Sequence, residues 1–348
     1  MNLSLEELRQ SNVIAPEMVE ALARQPMPEF PGHDPIAHRH ARADHLKRLR
    51  HLMPVSGPIP DLVTEEGISV DAEDGSPIPV FVYRPAQSTN QTHPVAVLFH
   101  EGGWSAGDAT DEEFNARRLA RDLGFVCLNV EYRLAPEHRF PTAISDSWRV
   151  VNWITRNSSS LGADLKKGFI VGGSSAGGHI AAIMALRSQK ESLSPPITGQ
   201  WLSAAYLVPF NQVPEKYQRQ YISPSENTND PVLNGLSEQG ELGLVVGVFG
   251  ADIHSPLFSP MATAYYPPAI KGPDAGFLAK AFIQVGGLDP LRDHNLIYEK
   301  ILRQEHGVKT RVELYPGYGH MFWTNWPEMS ASKKYSEDMI AGFQWLLS

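Results

Sequence analysis

The stretch from Gly168 to Ala185, GFIVGGSSAGGHIAAIMA, restricts the fold more than any other part of the chain. A short apolar run, Phe169-Ile170-Val171, enters a knot of glycines and serines and leaves as an Ala-rich segment with helical spacing. That order reads as strand, sharp turn, helix. Within it, Gly173-Ser174-Ser175-Ala176-Gly177 fits the pattern GxSxG, in which small residues flank a serine so that it sits on a strained turn with its hydroxyl exposed. Ser175 is therefore the candidate nucleophile. The N-H of Ala176, at the start of the following helix, would point towards an oxyanion formed there. A Gly/Ser turn also meets this pattern by chance, so the remainder of the chain has to decide.

The elements around this stretch alternate. Residues 62–70 and 77–85 read as two strands joined by the turn signal Asp74-Gly75, an antiparallel opening. The run VAVLF (95–99) is apolar throughout, the mark of a strand buried on both faces. A helix over 110–123, strand FVCLNVEYR, and a helix over 143–156 lead to the opening stretch. Beyond it come strand WLSAAYLVP (201–209), strand AFIQVGG (281–287), a helix over 295–304, strand RVELY (311–315) and a last helix over 332–347. Strands alternating with helices at this spacing predict right-handed crossovers and a mostly parallel sheet, with ligands at the carboxyl ends of the strands.

Two segments stand outside the alternation. Residues 1–60 read as helical: Ser4 and Glu7 form a capping box, Pro16 starts a helix through Arg24, and 36–52 carries apolar residues among many bases. His33, His38, His40, His45 and His51 lie here, but their spacing suits a solvated basic face better than a metal site. Residues 210–261, rich in Pro, Asn, Ser and Glu, are too long for a structureless loop. They read as an inserted cap that roofs the site with the N-terminal helices. The expected division is thus 1–60 N-terminal cap segment, 61–209 first part of the core, 210–261 cap insertion, and 262–348 second part of the core.

Composition narrows the function classes. A net charge of -9 and a pI near 5.8 disfavour nucleic-acid and anionic-membrane surfaces. The single cysteine, Cys127, sits in an apolar run and reads as a small buried hydrophobe. Neither a secretion signal nor a membrane span is legible, so the expected location is cytoplasmic.

A serine nucleophile needs a base, the base an orienting acid, and the oxyanion its donors. The strand ends supply candidates for each: His100-Glu101-Gly102-Gly103-Trp104 after VAVLF, Asp289-Pro290-Leu291-Arg292-Asp293 after AFIQVGG, and Gly319-His320 after RVELY. Asp293 competes with Asp289 for the acid, and His179, His254 and His294 compete with His320 for the base. Asp289 directly ends its strand, and His320 stands in a Gly-rich loop where a base has room to move. His100 reads as a brace of its loop, and Glu131 with Arg133 as a local ion pair or loop brace rather than substrate ligands. The order Ser, Asp, His differs from the orders of the two best-known serine protease folds.

With these motifs together the chain resembles the hormone-sensitive lipase family of α/β-hydrolases, carboxylesterases with a helical cap. GxSxG followed by Gly178, HxGGW at 100–104, Glu131-Tyr132-Arg133-Leu134-Ala135-Pro136-Glu137, Ser255-Pro256-Leu257 with Ser259-Pro260, and the Asp289 and His320 motifs carry the likeness over roughly residues 62–347. It implies an α/β-hydrolase fold with Ser175 as nucleophile, His320 as base and Asp289 as its partner. Gly102, Gly103 and Ala176 are the implied oxyanion donors. No cofactor or metal is implied; the expected partner is a small ester of short to medium acyl or aromatic type, and relatives often form homodimers. Two residues depart from the family pattern: Glu101 stands where a third glycine is usual, and Ser174 where an acid is usual. Glu101, Trp104, Phe210 and Phe322 are the candidate pocket residues, with Glu101 turned towards cap, substrate or solvent. Lactone or thioester hydrolysis, acyl transfer and dehydration are alternative reactions of the same triad. A ligand receptor built on a dead hydrolase is a further alternative, which an intact triad argues against.

Overall fold

The structure, a computed structural model, describes residues 3–31, 34–86, 91–209, 212–233, 240, 243–260 and 278–348. His33, Phe210 and Met261 lie outside the described residues.

Eight strands form one sheet: β1 (Val63–Asp71), β2 (Pro77–Pro85), β3 (Val95–Phe99), β4 (Val126–Val130), β5 (Phe169–Ser174), β6 (Gly199–Ser203), β7 (Lys280–Gly286) and β8 (Thr310–Tyr315). Their order across the sheet is β1-β2-β4-β3-β5-β6-β7-β8. The β1–β2 hairpin and the β2–β4 pair are antiparallel, and every pair from β4 to β8 is parallel. The mostly parallel sheet expected from the alternation is therefore present.

Period-two alternation explains why VAVLF is apolar at every position. Val95, Val97 and Phe99 face one hydrophobic cluster, shared with α5 (Thr142–Asn157), α6 (Ala176–Lys190) and α7 (Arg292–Lys300). Ala96 and Leu98 face a second cluster, closed by α4 (Glu113–Leu123) and the C-terminal helix α8 (Ser330–Leu347). Both faces of the strand are dry, and no position on it tolerates a polar side chain without a partner. Cys127, on β4, is a free thiol buried in the second cluster.

One strand is shorter than its sequence suggests. Ala204 takes φ +46°, which turns the chain out of the β6 ladder, although Ala204–Val208 stay buried. Side chains satisfy the amides that the ladder no longer serves: Ala205 N-H donates to Asn295 Oδ1 at 3.1 Å, and Leu207 and Val208 N-H to His294 Nδ1 at 3.3 Å. Apolarity without a break thus marked burial here, not strand.

The N-terminal helices are α1 (Leu5–Ser11), with the Ser4–Glu7 capping box formed, α2 (Pro16–Arg24) and α3 (Pro35–Leu49). Hydrogen bonds tie the α1–α2 link to the loop after β8: Gly317 N-H donates to Ser11 O at 2.7 Å and Ala15 N-H to Gly317 O at 3.0 Å. Arg9 pairs with Glu226 at 2.9 Å, joining α1 to the segment after β6. The solvated basic face expected on α3 is only partly solvated. Lys47 and Arg48 are exposed, but Arg42 and Arg50 turn inward to carboxylates, and buried His45 hydrogen-bonds Asn325 Oδ1. Among the described residues, no helix is long and apolar enough to cross a membrane.

Close approach sets the geometry around Ser175. A Cβ on Gly177 would stand 1.9 Å from the carbonyl oxygen of Phe99 and 2.6 Å from that of His100, and backbone cannot yield as a side-chain tip would. Gly177→Ala is expected to destabilise the fold by at least about 1–3 kcal/mol through overpacking. Gly67→Ala on β1, where nothing lies within 4 Å, is the control and should unfold with wild type or slightly later. Urea unfolding followed by circular dichroism compares the two.

Candidate active site

Ser175 joins β5 to α6. It has φ 51° and ψ -115°, a conformation that costs a non-glycine residue roughly 1–3 kcal/mol and persists only where surrounding structure enforces it. The enforcement is visible: Ser175 N-H donates to Ser203 O on β6 at 2.8 Å, while Ser175 O accepts from His179 N-H at 3.0 Å. Gly173 and Gly177 let the turn lie against the end of β3, since a Cβ on Gly173 would stand 2.2 Å from Phe99 O.

His320 reaches this serine from the loop after β8, with Nε2 at 3.0 Å from Ser175 Oγ. Its Nδ1 lies 2.9 Å from Asp289 Oδ2. A carboxylate only accepts, so Nδ1 carries the proton, and in the neutral ring Nε2 is left as an acceptor facing the hydroxyl. Asp289 is buried, its Oδ1 accepting from Leu291 N-H at 2.7 Å, while Asn227 Nδ2 donates to Asp289 O at 2.9 Å and to Gly287 O at 3.1 Å. The acid is thereby held by its own turn and by the segment after β6. Burial pulls the His320 pKa down, but the Asp289 charge and hydrogen bond, with the charges of Asp230 and Glu101, outweigh it and leave the ring raised above its ordinary value.

The rivals serve elsewhere. Asp293 accepts from the N-H groups of Ile222 and Ser223, each at 2.7 Å, and pairs with Arg292 at 2.8 Å. His179 has both ring nitrogens engaged, Nδ1 by Trp104 Nε1-H and Nε2 by Phe258 O, and burial lowers its pKa to about 4. His294 receives two amides and contacts Tyr221, with its pKa pulled by burial to about 3. His254 meets Gln212.

The loop after β3 makes a left-handed run, with φ +117° at Gly102, +59° at Gly103 and +59° at Trp104. Gly102 O accepts from the N-H groups of Ser105 and Ala106. His100 braces this loop, its Nδ1 on Glu101 O at 2.8 Å and its ring stacked 4.0 Å from Tyr132. Trp104, expected on a pocket wall, is only 2% exposed and stacks at 4.8 Å on Phe249, with Tyr206 and Phe258 against it. Phe322, likewise expected in the pocket, is fully buried among Tyr315, Tyr318 and Trp323. Both side chains are core, and they shape the site from behind.

Glu101 does not reach solvent. It is 5% exposed and pairs with Arg42 of α3 at 2.8 Å; Arg42 also meets Asp111 at 3.2 Å, and Arg50 meets Asp111 at 2.7 Å. Burial raises the Glu101 carboxyl against the opposing pull of Arg42. The departure from glycine thus ties the β3 loop to the N-terminal helices, beside a small cleft lined also by Leu46, Met53, Phe114 and Thr324. Ser174, the other departure, hydrogen-bonds Glu112, a carboxyl that burial pushes up to about 8. An acid therefore lies next to the position before the nucleophile, supplied by a different element. Glu131 and Arg133 do not pair with each other: Glu131 accepts from Ala109 N-H at 2.6 Å, and Arg133 pairs with Asp146 and Asp74. Each braces a loop.

Sequence reasoning missed Asp230. Its Oδ2 accepts from the backbone N-H of His320 at 2.5 Å. Nothing in Asn229-Asp230-Pro231 beyond an ordinary turn signal points ninety residues along the chain to a histidine loop.

Residues 96–324 match the family model described as alpha/beta hydrolase fold. An AB hydrolase superfamily protein of Schizosaccharomyces pombe is 34% identical over 295 residues, 84% of this chain and 82% of that one. The carboxylesterase NlhH of Mycobacterium tuberculosis is 33% identical over 273 residues, 78% of this chain and 79% of its own. Among solved structures, vibralactone cyclase superimposes with a TM-score of 0.87 at 29% identity, covering 100% of this chain and 98% of the other.

The Arg42–Glu101 pair allows a direct test of its energetics. Arg42→Met strands a buried carboxylate and is expected to cost about 3–5 kcal/mol of stability. Asp111 keeps Arg50 in that variant. Adding Glu101→Gln should return most of the loss, and a double-mutant cycle in urea measures both.

Proposed function

The chain belongs to the hormone-sensitive lipase-like family of α/β-hydrolases, and from that premise we propose that it is a serine carboxylic-ester hydrolase. The observation that carries the reading is the relay Ser175 Oγ, His320 Nε2, His320 Nδ1, Asp289 Oδ2, with links of 3.0 and 2.9 Å. Relatives named as carboxylesterase and ethyl acetate hydrolase support the same chemistry.

In this reading, Ser175 attacks the acyl carbonyl as His320 takes its proton. Asp289 holds the imidazole in the tautomer that leaves Nε2 free and stabilises the imidazolium that forms. The N-H groups of Gly102, Gly103 and Ala176 receive the oxyanion, each donor of this kind supplying about 10² to 10³ in rate. His320 then protonates the departing alcohol, and water releases the acid by the reverse sequence. The substrate is a short to medium acyl or aromatic ester. The likeness to vibralactone cyclase favours one second reading, in which a hydroxyl of the substrate itself takes the acyl group from Ser175 in place of water and a lactone is released.

Hydrolysis of p-nitrophenyl esters from acetate to palmitate separates these cases. Wild type should turn over the shorter chains, Ser175→Ala and His320→Ala should lose nearly all of it, and Asp289→Asn should lose about 10⁴. Full turnover by Ser175→Ala removes the mechanism. Acyl-enzyme formation without water-dependent release points to the second reading.

The pH profile follows from the base. His320 acts only when neutral, and its pKa is raised from the ordinary 6.5, so kcat/KM should fall on the acid side with a midpoint above that value. A midpoint below it contradicts the electrostatic picture.

A further inference from the structure

We propose that Asp230 is a positioning residue for the base, fixing the His320 backbone beside Ser175 and giving the imidazolium a second carboxylate in addition to Asp289. This deepens the ester-hydrolase reading and rests on it.

The geometry is specific. Asp230 is fully buried. Its Oδ2 accepts from His320 N-H at 2.5 Å, and its Oδ1 accepts from Val232 N-H at 2.9 Å and Leu233 N-H at 2.6 Å. A Cβ on Gly319 would stand 2.2 Å from Oδ2, so the residue before the base must be glycine for the carboxylate to reach. Three amide donors on one buried side chain make a site that recognises the charged form.

The surrounding charges give that carboxylate its role. The ionisable groups that face His320 are Asp289, Asp230 and Glu101, and those that face Asp230 are Asp289 and His320. Glu101 is answered by Arg42, and Asp293 nearby by Arg292. Asp230 has the imidazole as its facing cationic group. A buried carboxylate is costly unless it is hydrogen-bonded or paired, and here the pairing is completed when His320 takes the serine proton. Burial and the Asp289 charge push the Asp230 carboxyl up to about 7, against the opposing pull of the neighbouring imidazole and the amide donors. The two groups then titrate as a coupled pair.

The test uses the full-length protein, p-nitrophenyl acetate, and labelling of Ser175 by diethyl p-nitrophenyl phosphate. Asp230→Asn keeps the size and removes the charge, and its NH2 takes the place of one of the two oxygens that accept backbone N-H groups. It should lower kcat about tenfold with little change in KM, and move the acid midpoint of turnover and labelling down by about one pH unit. Gly319→Ala, which displaces the carboxylate but keeps it, should lower the rate with a smaller midpoint shift. A folded Asp230→Asn with wild-type kcat and midpoint overturns the proposal, while labelling of wild-type Ser175 leaves the hydrolase reading standing. Absence of labelling in wild type overturns both. Should Asp230→Asn fail to fold, the downfield Nδ1-H resonance of His320 in wild type decides: a two-step titration supports the pair, and a single step refutes it.

Discussion

The contact on which the rest depends is that of the β5–α6 turn against the end of β3. Gly173 and Gly177 both lie where any side chain would strike the Phe99 carbonyl. That approach accompanies a Ser175 backbone conformation that other non-glycine residues seldom adopt, and it sets the turn against Phe99 and His100, which lead into the left-handed loop at 102–104. Neighbouring strands in a parallel sheet end on the same edge, so Ser175 after β5 and the loop after β3 meet without any long-range design beyond strand order. His320 and Asp289 arrive by the same rule from β8 and β7. The stability of the two dry faces of the sheet is what holds the strained turn in place.

A second constraint is charge. The site gathers Asp289, Asp230, Glu101, Asp111 and Glu112 in the interior, and none of these could remain there unanswered. Arg42 and Arg50 answer Glu101 and Asp111, Asn115 and Ser174 hydrogen-bond Glu112, and backbone amides answer Asp289 and Asp230. The cations come from α3 and from the residue that follows it, outside the sheet. The electrostatics of the β3 loop is therefore finished by a helix that has no strand of its own to follow, in addition to the contacts that α1 and α2 make with the loop after β8.

How much of this could be read beforehand depends on the range of the interaction. The strands, helices and parallel order follow from local periodicity, and α2 begins and ends at Pro16 and Arg24 as its proline and spacing imply. The strand-end motifs single out Ser175, Asp289 and His320, because adjacency in the sheet follows from alternation. What was not legible has long-range causes. Ala204 leaves the ladder because Asn295 and His294, ninety residues on, offer its neighbours other acceptors. Trp104 looks like a pocket wall in sequence but meets Phe249 from a distant segment, while Phe322 packs on Tyr315, Tyr318 and Trp323 of its own stretch once the loop folds inward. Arg42 looks like one base among many until Glu101 is found facing it, and Asp230 looks like a turn residue until its carboxylate is found on His320.

The clamp on the loop after β8 also orders events in time. Gly317 is bonded on both its N-H and its carbonyl to residues 11 and 15, Tyr318 to Glu17 across 301 positions, and Arg292 to Leu8 across 284. During synthesis these early residues leave the ribosome with no docking partner and must wait until the sheet and its last loop exist. Contacts of such separation are closed late and slowly. The nascent chain therefore carries Ser175 long before it carries a seated His320, and a chain interrupted anywhere short of β8 cannot assemble the Ser175–His320–Asp289 relay.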